Sequence, residues 1–370
     1  MISAMYRFSK DRNLYPTQLF LKNPPKKLGD QLEAGGSFGE VYKIPFQGKD
    51  TYYKVAKIRK GLDSDRFAKA FAKEAVLWAQ LSHQNILPFY GLARINLQLV
   101  LVMPWAANGN LENYLSQNRD ADRLLLCADT AAGMEYLHQN EIIHGNLRGS
   151  NVLIDSCGRA ALGDFGISSV SHTEILKWTT ESAMASKGGT VRWQAPELFM
   201  DQEDQSRDVC NTKESDVFAW AGVCYEVNAH QPNYFSVLNL QQIFTGHIPY
   251  HGIMNQTTVM LRILQGKKPT CPEESDAAWH QHGLTQQMWG LMEECWAFQA
   301  SKRPSASEVV AKLKQNTGPD TREPGEWADG VTMRSRRGEE AGDVRDVKFW
   351  DDLESLLTRI VRGLEEGNTT

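Results

Sequence analysis

The stretch His144-Gly145-Asn146-Leu147-Arg148-Gly149-Ser150-Asn151 decides the fold. It lies between Glu141-Ile142-Ile143 and Val152-Leu153-Ile154, and further along the chain stands Asp164-Phe165-Gly166. Short apolar runs with polar residues between them read as buried strands joined by a loop. Asp164 comes eighteen positions after Asn146.

Composition narrows the class. The 370 residues allow one large domain or two ordinary ones, and 41% hydrophobic with 23% charged residues is globular material. A formal net charge of −5 gives no sign of a nucleic-acid-binding surface. The six cysteines are scattered with no Cys-x-x-Cys pair, as expected of reduced core thiols in an intracellular, cytoplasmic protein. The N-terminus lacks the apolar core of a signal peptide, and no apolar stretch is long enough to span a bilayer.

Upstream, Ala34-Gly35-Gly36-Ser37-Phe38-Gly39-Glu40-Val41-Tyr42 reads as a glycine-rich hairpin. Glycines let backbone N–H groups approach phosphates, although a tight hairpin alone also favours them. Tyr52 to Ile58 reads as a strand carrying Lys57, with Lys54 and Lys60 nearby, so a solvated edge-strand lysine is the plain alternative. Phe67 to Leu81 has helical period, with Glu74 beside its apolar stripe. Gln98 to Trp105 reads as a buried strand ending at Pro104, and Leu124 to His138 as a core helix. A Ser/Thr-rich loop follows Gly166 and runs into Gly189-Thr190-Val191-Arg192-Trp193-Gln194-Ala195-Pro196-Glu197. Ser215-Asp216-Val217 and Lys302-Arg303-Pro304 complete the series.

In this order the landmarks resemble the protein kinases. The G-T-x-R-W-x-A-P-E run is similar to the tyrosine-kinase-like group of serine/threonine kinases in its fungal-type variant. The resemblance implies an α+β, bilobal kinase fold: a small antiparallel β-sheet lobe with one helix, and a larger mainly α-helical lobe. It implies ATP and Mg2+ as cofactors and a protein substrate or signalling partner, with no nucleic acid and no membrane. Gly36, Gly39, Val41, Lys57, Glu74, Met103 as gatekeeper, Trp105 in the hinge and Leu153 would then line the ATP site. Asn151 and Asp164 would hold magnesium, Asp216 would hold the loop backbone, and Arg303 would pair with Glu197. If Lys57 is the phosphate lysine, Val55 takes the small-residue position and narrows the adenine slot.

Three departures carry the functional argument. Asn146 stands where the family has its catalytic Asp, and an amide is a very poor base. Arg148 stands where kinases of this group usually have Lys, and as a cation it can still contact the γ-phosphate. Gly145 replaces the arginine that anchors a phosphorylated activation loop. Loss of general-base assistance costs roughly 10²–10⁴-fold. Three readings follow: an impaired serine/threonine kinase, a pseudokinase that binds nucleotide as a signalling module, and a scaffold that binds none.

The expected domain plan is a low-order lead-in over 1–27 and a kinase domain over 28–314, its smaller lobe 28–105 and larger lobe 106–314. A disordered linker over 315–347 and a C-terminal amphipathic helix over 348–365 follow. Residues 227–242 interrupt an apolar helical run, have no helical period and contain Pro232. Val codons begin GT and Gln can be CAG, so this segment reads as a translated intron or, failing that, a surface insertion.

Overall fold

The computed structural model describes residues 20–21, 23–25, 27–28, 32–36, 39–56, 78–79, 81–95, 98–164, 169–170, 191–200, 211–226 and 248–327. The chain divides into units 1–330 and 331–370, and the second lies outside the described residues. So do Lys57, Glu74, Phe165 and Gly166, the segment 227–242 and the C-terminal helix expected over 348–365.

Strands β1 (Leu32–Gly36), β2 (Gly39–Phe46), β3 (Lys49–Ala56), β4 (Gly91–Ile95) and β5 (Gln98–Pro104) form an antiparallel sheet in the order β1-β2-β3-β5-β4. The β2–β3 turn needs two left-handed residues, and Gln47 (φ 50°) and Gly48 (φ 77°) supply them. That turn fixes the register Tyr42↔Tyr53 and Val41↔Lys54. Because side chains alternate along a strand, register decides which residues share a face.

One face carries Tyr53, Val55, Val100, Val102, Ala93 and Ile95, packed with Leu21 into a buried cluster. The other carries Val41 and Lys43 of β2, Tyr52 and Lys54 of β3, and Leu101 and Met103 of β5. Val55 is therefore buried away from the face of Lys54. It does not narrow a slot on that face, contrary to the expectation, because its neighbours in register belong to the opposite cluster.

The larger lobe begins after Trp105. Helix α1 (Leu111–Gln117) is capped by Asn110, and α2 (Arg123–Gln139) by Asp122. Each cap oxygen accepts an otherwise orphaned backbone N–H. Two-residue strand β6 (Ile142–Ile143) precedes the loop, and β7 (Val152–Ile154) pairs with β8 (Ala160–Leu162) after it. Strand β9 (Ser169–Val170) returns to β6.

Helix α3 (Lys213–Tyr225) starts at a reciprocal Thr212–Ser215 capping box and is buried from Ser215 onward. Its Trp220 donates to Thr130 Oγ1 of α2 at 3.1 Å, so the two helices are tied through a buried polar contact. Helices α4 (Gln256–Leu264), α5 (Ala277–His280), α6 (Gln286–Cys295) and α7 (Ala306–Asn316) complete the lobe. Buried Tyr225, Trp289 and Trp296 meet where α3 and α6 pack.

Residues 315–327, expected to open a disordered linker, are ordered, since α7 runs to Asn316. Residues 317–327 fold back onto the larger lobe, where the Arg322 guanidinium binds Asp129 at 2.9 and 3.1 Å and Asp320 at 3.0 Å. Arg159 donates to Asp320, to Glu323 O and to Arg322 O. Buried Asp129 needs a cation, and polar composition alone does not reveal that Arg322 supplies it. Cysteines 127, 224 and 295 are buried as expected, whereas Cys271 is exposed. No helix among the described residues is long and apolar enough to cross a membrane.

Candidate active site

The loop from His144 to Asn151 is built around one buried carboxylate. Asp216, in the first turn of α3, accepts the backbone N–H of His144 at 2.7 Å and of Gly145 at 2.8 Å. It also meets His138 Nε2 at 3.0 Å. Gly145 has φ 74°, a left-handed conformation costly for most residues but open to glycine.

His144 is fully buried and fixes its own protonation. Nε2 faces the Gly163 carbonyl at 3.0 Å, which can only accept, so that nitrogen carries the proton. Nδ1 then accepts the Asn146 N–H at 3.2 Å. Burial pulls the imidazole's pKa down, and Asp216 and Asp164 offset this only in part. His144 is thus a neutral strut that links the loop to the residue before Asp164.

Asn146 is held at both backbone ends, since Asn151 Nδ2 donates to its carbonyl at 2.8 Å. With Nδ2 turned to Asn146, the carboxamide oxygen of Asn151 is left as an acceptor. The Gly163 N–H donates to the Asn151 carbonyl at 2.9 Å and brings Asp164 alongside. Asp164 has φ 56°. Its carboxylate pairs with Lys54 of β3 across the cleft. Burial pushes its pKa up, but Lys54, with His144 and Arg148, outweighs burial and the net shift is downward.

Lys54 is therefore the β3 lysine that reaches Asp164, three positions before the expected Lys57. Sequence reasoning noticed Lys54 only as a neighbour. The missing signal was register: Lys54 faces Leu101 while Tyr52 faces Met103, two residues along β5. Leu153 is half-buried on β7, bridged to Asn110 where α1 begins, and Trp105 lies between the two lobes. Gly36 and Gly39 pair at the β1–β2 end, and Val41 is buried on the Lys54 face.

Beneath the loop lies a carboxyl pair that the sequence did not suggest. Glu226 is buried at the end of α3 and accepts the Gly149 N–H at 2.7 Å. A Cβ at Gly149 would stand 2.2 Å from that oxygen, so the contact requires glycine. Burial, together with neighbouring Glu112, pushes Glu226 well above the ordinary carboxyl range. Burial pushes Glu112 up to about 7, although Arg148 acts in the opposite direction. Arg148 donates to Ser150 Oγ at 2.5 Å and lies over the Trp193 ring at 5.7 Å. Farther out, Arg303 makes a two-pronged ion pair with Glu197 at 2.6 and 2.7 Å, which fixes the segment after Trp193.

Among the described residues no group of three or more His, Cys, Asp and Glu could hold a metal ion. Asn151 and Asp164 are brought alongside through the Gly163 N–H bond to the Asn151 carbonyl. Magnesium takes oxygen ligands and is commonly held by one or two carboxylates plus substrate phosphates. An amide oxygen and an ionised carboxylate fit that requirement.

The profile of a family described as protein tyrosine and serine/threonine kinase matches residues 27–313. Similar curated proteins include serine/threonine-protein kinase STY46 of Arabidopsis thaliana, 27% identical, covering 78% of this chain and 44% of its own length. Serine/threonine-protein kinase STY17 of the same plant is 25% identical over 76% of this chain and 43% of its own. Serine/threonine-protein kinase VIK, also from that plant, is 29% identical over 76% and 58%. The chain thus spans less than half the length of the first two.

Proposed function

The chain belongs to the protein tyrosine and serine/threonine kinase family, and on that premise we propose that it binds ATP with Mg2+ and transfers the γ-phosphoryl group to Ser or Thr of a protein, at a rate limited by Asn146. The observation that supports this reading is the ordered loop that holds Asn146, at the position the kinase resemblance gives to the catalytic base, beside Asn151, Asp164 and Lys54. Phosphoryl transfer depends mainly on positioning and charge neutralisation, so retention of those groups supports nucleotide binding. Lys54, Asn151 and Asp164 would hold the phosphates and the magnesium, which supplies charge neutralisation when bound. Glu74 stays in the proposal as the family-matched helix glutamate, and Lys54 takes the lysine role expected of Lys57. Arg148 faces the same space and adds positive charge near the transferred group.

Membership of the tyrosine-kinase-like group in its fungal-type variant is part of the proposal, resting on the G-T-x-R-W-x-A-P-E run. So is a cytoplasmic location. Asn146 also favours a second reading, a pseudokinase that binds nucleotide and signals through a protein partner. Both readings require nucleotide binding. Millimolar ATP with magnesium is expected to raise the melting temperature of the chain, because a ligand that binds only the folded state stabilises it. No shift in well-folded protein would leave only a scaffold role.

A further inference from the structure

The face of the sheet that carries Lys54 also carries Tyr52, two residues earlier on β3. Tyr52 sits in register between Lys43 of β2 and the gatekeeper Met103 of β5. Its ring lies 6.1 Å from that of Trp105, tilted by 37°, a spacing within the range of favourable aromatic pairs. Trp105 is the first residue beyond β5, on the connection between the lobes, and Lys43 Nζ lies over its ring at 4.8 Å. The phenol end of Tyr52 feels the Lys54–Asp164 pair. Burial raises its pKa, and Lys54 and Asp164 pull it in opposite directions.

A bulky ring thus stands on the Lys54 face of the sheet, beside Met103 and against Trp105. In the proposed site, a nucleotide with its phosphates at Lys54 and Asp164 would put its base against this part of the sheet. We infer that Tyr52 fills the space a purine would need between Met103, Trp105 and Leu153, and thereby sets a low affinity for nucleotides while leaving the phosphate end open. The inference deepens the proposed nucleotide site and rests on that reading. It makes Tyr52, not Val55, the residue that controls base recognition.

The test measures dissociation constants for ATP–magnesium and for tripolyphosphate–magnesium with the full chain, by titration calorimetry. Wild type, Tyr52→Ala and Tyr52→Phe are compared, and Tyr52→Val serves if the alanine variant does not fold. Removing the ring is expected to tighten ATP binding at least tenfold. Tyr52→Phe should behave as wild type, because the ring and not the hydroxyl occupies the space. Tripolyphosphate, which has no base, should bind all variants alike. If Tyr52→Ala or Tyr52→Val binds ATP no more tightly than wild type, or more weakly, the ring is not an obstacle and the inference is overturned. Equal ATP binding by all variants overturns it while nucleotide binding itself stands. Failure of every variant to bind either ligand overturns both.

Discussion

At Asn146 the backbone N–H is held by His144 Nδ1 and the carbonyl by the Asn151 amide, so the position is fixed whether its side chain is amide or acid. What changes is chemistry: a carboxamide cannot take a proton from a hydroxyl near neutral pH. The neighbouring carboxyls show the opposite case, acids whose protonated form is favoured by burial. Glu112 is 7% exposed and its pKa is pushed up to about 7. Its folded-state pKa lies above the model-peptide value of 4.5. Between those two values the native state binds more protons than the unfolded chain, so stability falls as pH rises and levels off above about 7. One pKa unit is about 1.4 kcal/mol, so this part amounts to roughly 3 kcal/mol. Glu112→Gln should remove it, so the fall in stability with rising pH is smaller in the variant than in wild type. Urea unfolding from pH 4 to pH 8 checks this, and an equal fall in variant and wild type would contradict it.

Some elements could be read from the sequence and others could not, for physical reasons. The loop 144–151 and Asp164 were legible because polar residues at fixed spacing sit between short apolar strands. Asp216 and the Arg303–Glu197 pair were legible only through the resemblance to the kinases, and the contacts it implied are present. Lys54 and Tyr52 were not, since choosing among the lysines near β3 depends on register with β5, which is set by a turn and a tertiary neighbour. The Glu112–Glu226 pair joins residues from two helices and leaves no local pattern. Residues 317–327 read as linker because their composition is polar, yet Arg322 reaches back to Asp129 over the turn at Gly158. Breaking a buried ion pair leaves an uncompensated charge and commonly costs 3–5 kcal/mol. Asp129 keeps the Ala160 N–H as a partner, so Arg322→Ala is expected to destabilise the chain by about 3 kcal/mol in denaturant unfolding. A loss below about 0.5 kcal/mol, the range of ordinary surface substitutions, would mean that the segment merely rests on the lobe.

Among the described residues, the sheet lobe contributes Lys54 and Tyr52, and the larger lobe contributes the loop, Asn151, Asp164 and the Asp216 anchor. The site is assembled where a neutral histidine, a buried carboxylate and one inter-lobe ion pair meet. Such a frame fits the proposed phosphoryl transfer, with Tyr52 on the sheet and Asn146 in the loop as the departures that bear on base binding and proton acceptance. The most direct measurement is phosphotransfer from radiolabelled ATP with magnesium by wild type and Asn146→Asp, at ATP concentrations that saturate both. The account predicts that the aspartate variant is faster by at least tenfold, since a positioned general base contributes about 10²–10⁴-fold, with ATP affinity little changed. Equal rates at equal occupancy would contradict it and show that proton removal at this position does not limit the reaction.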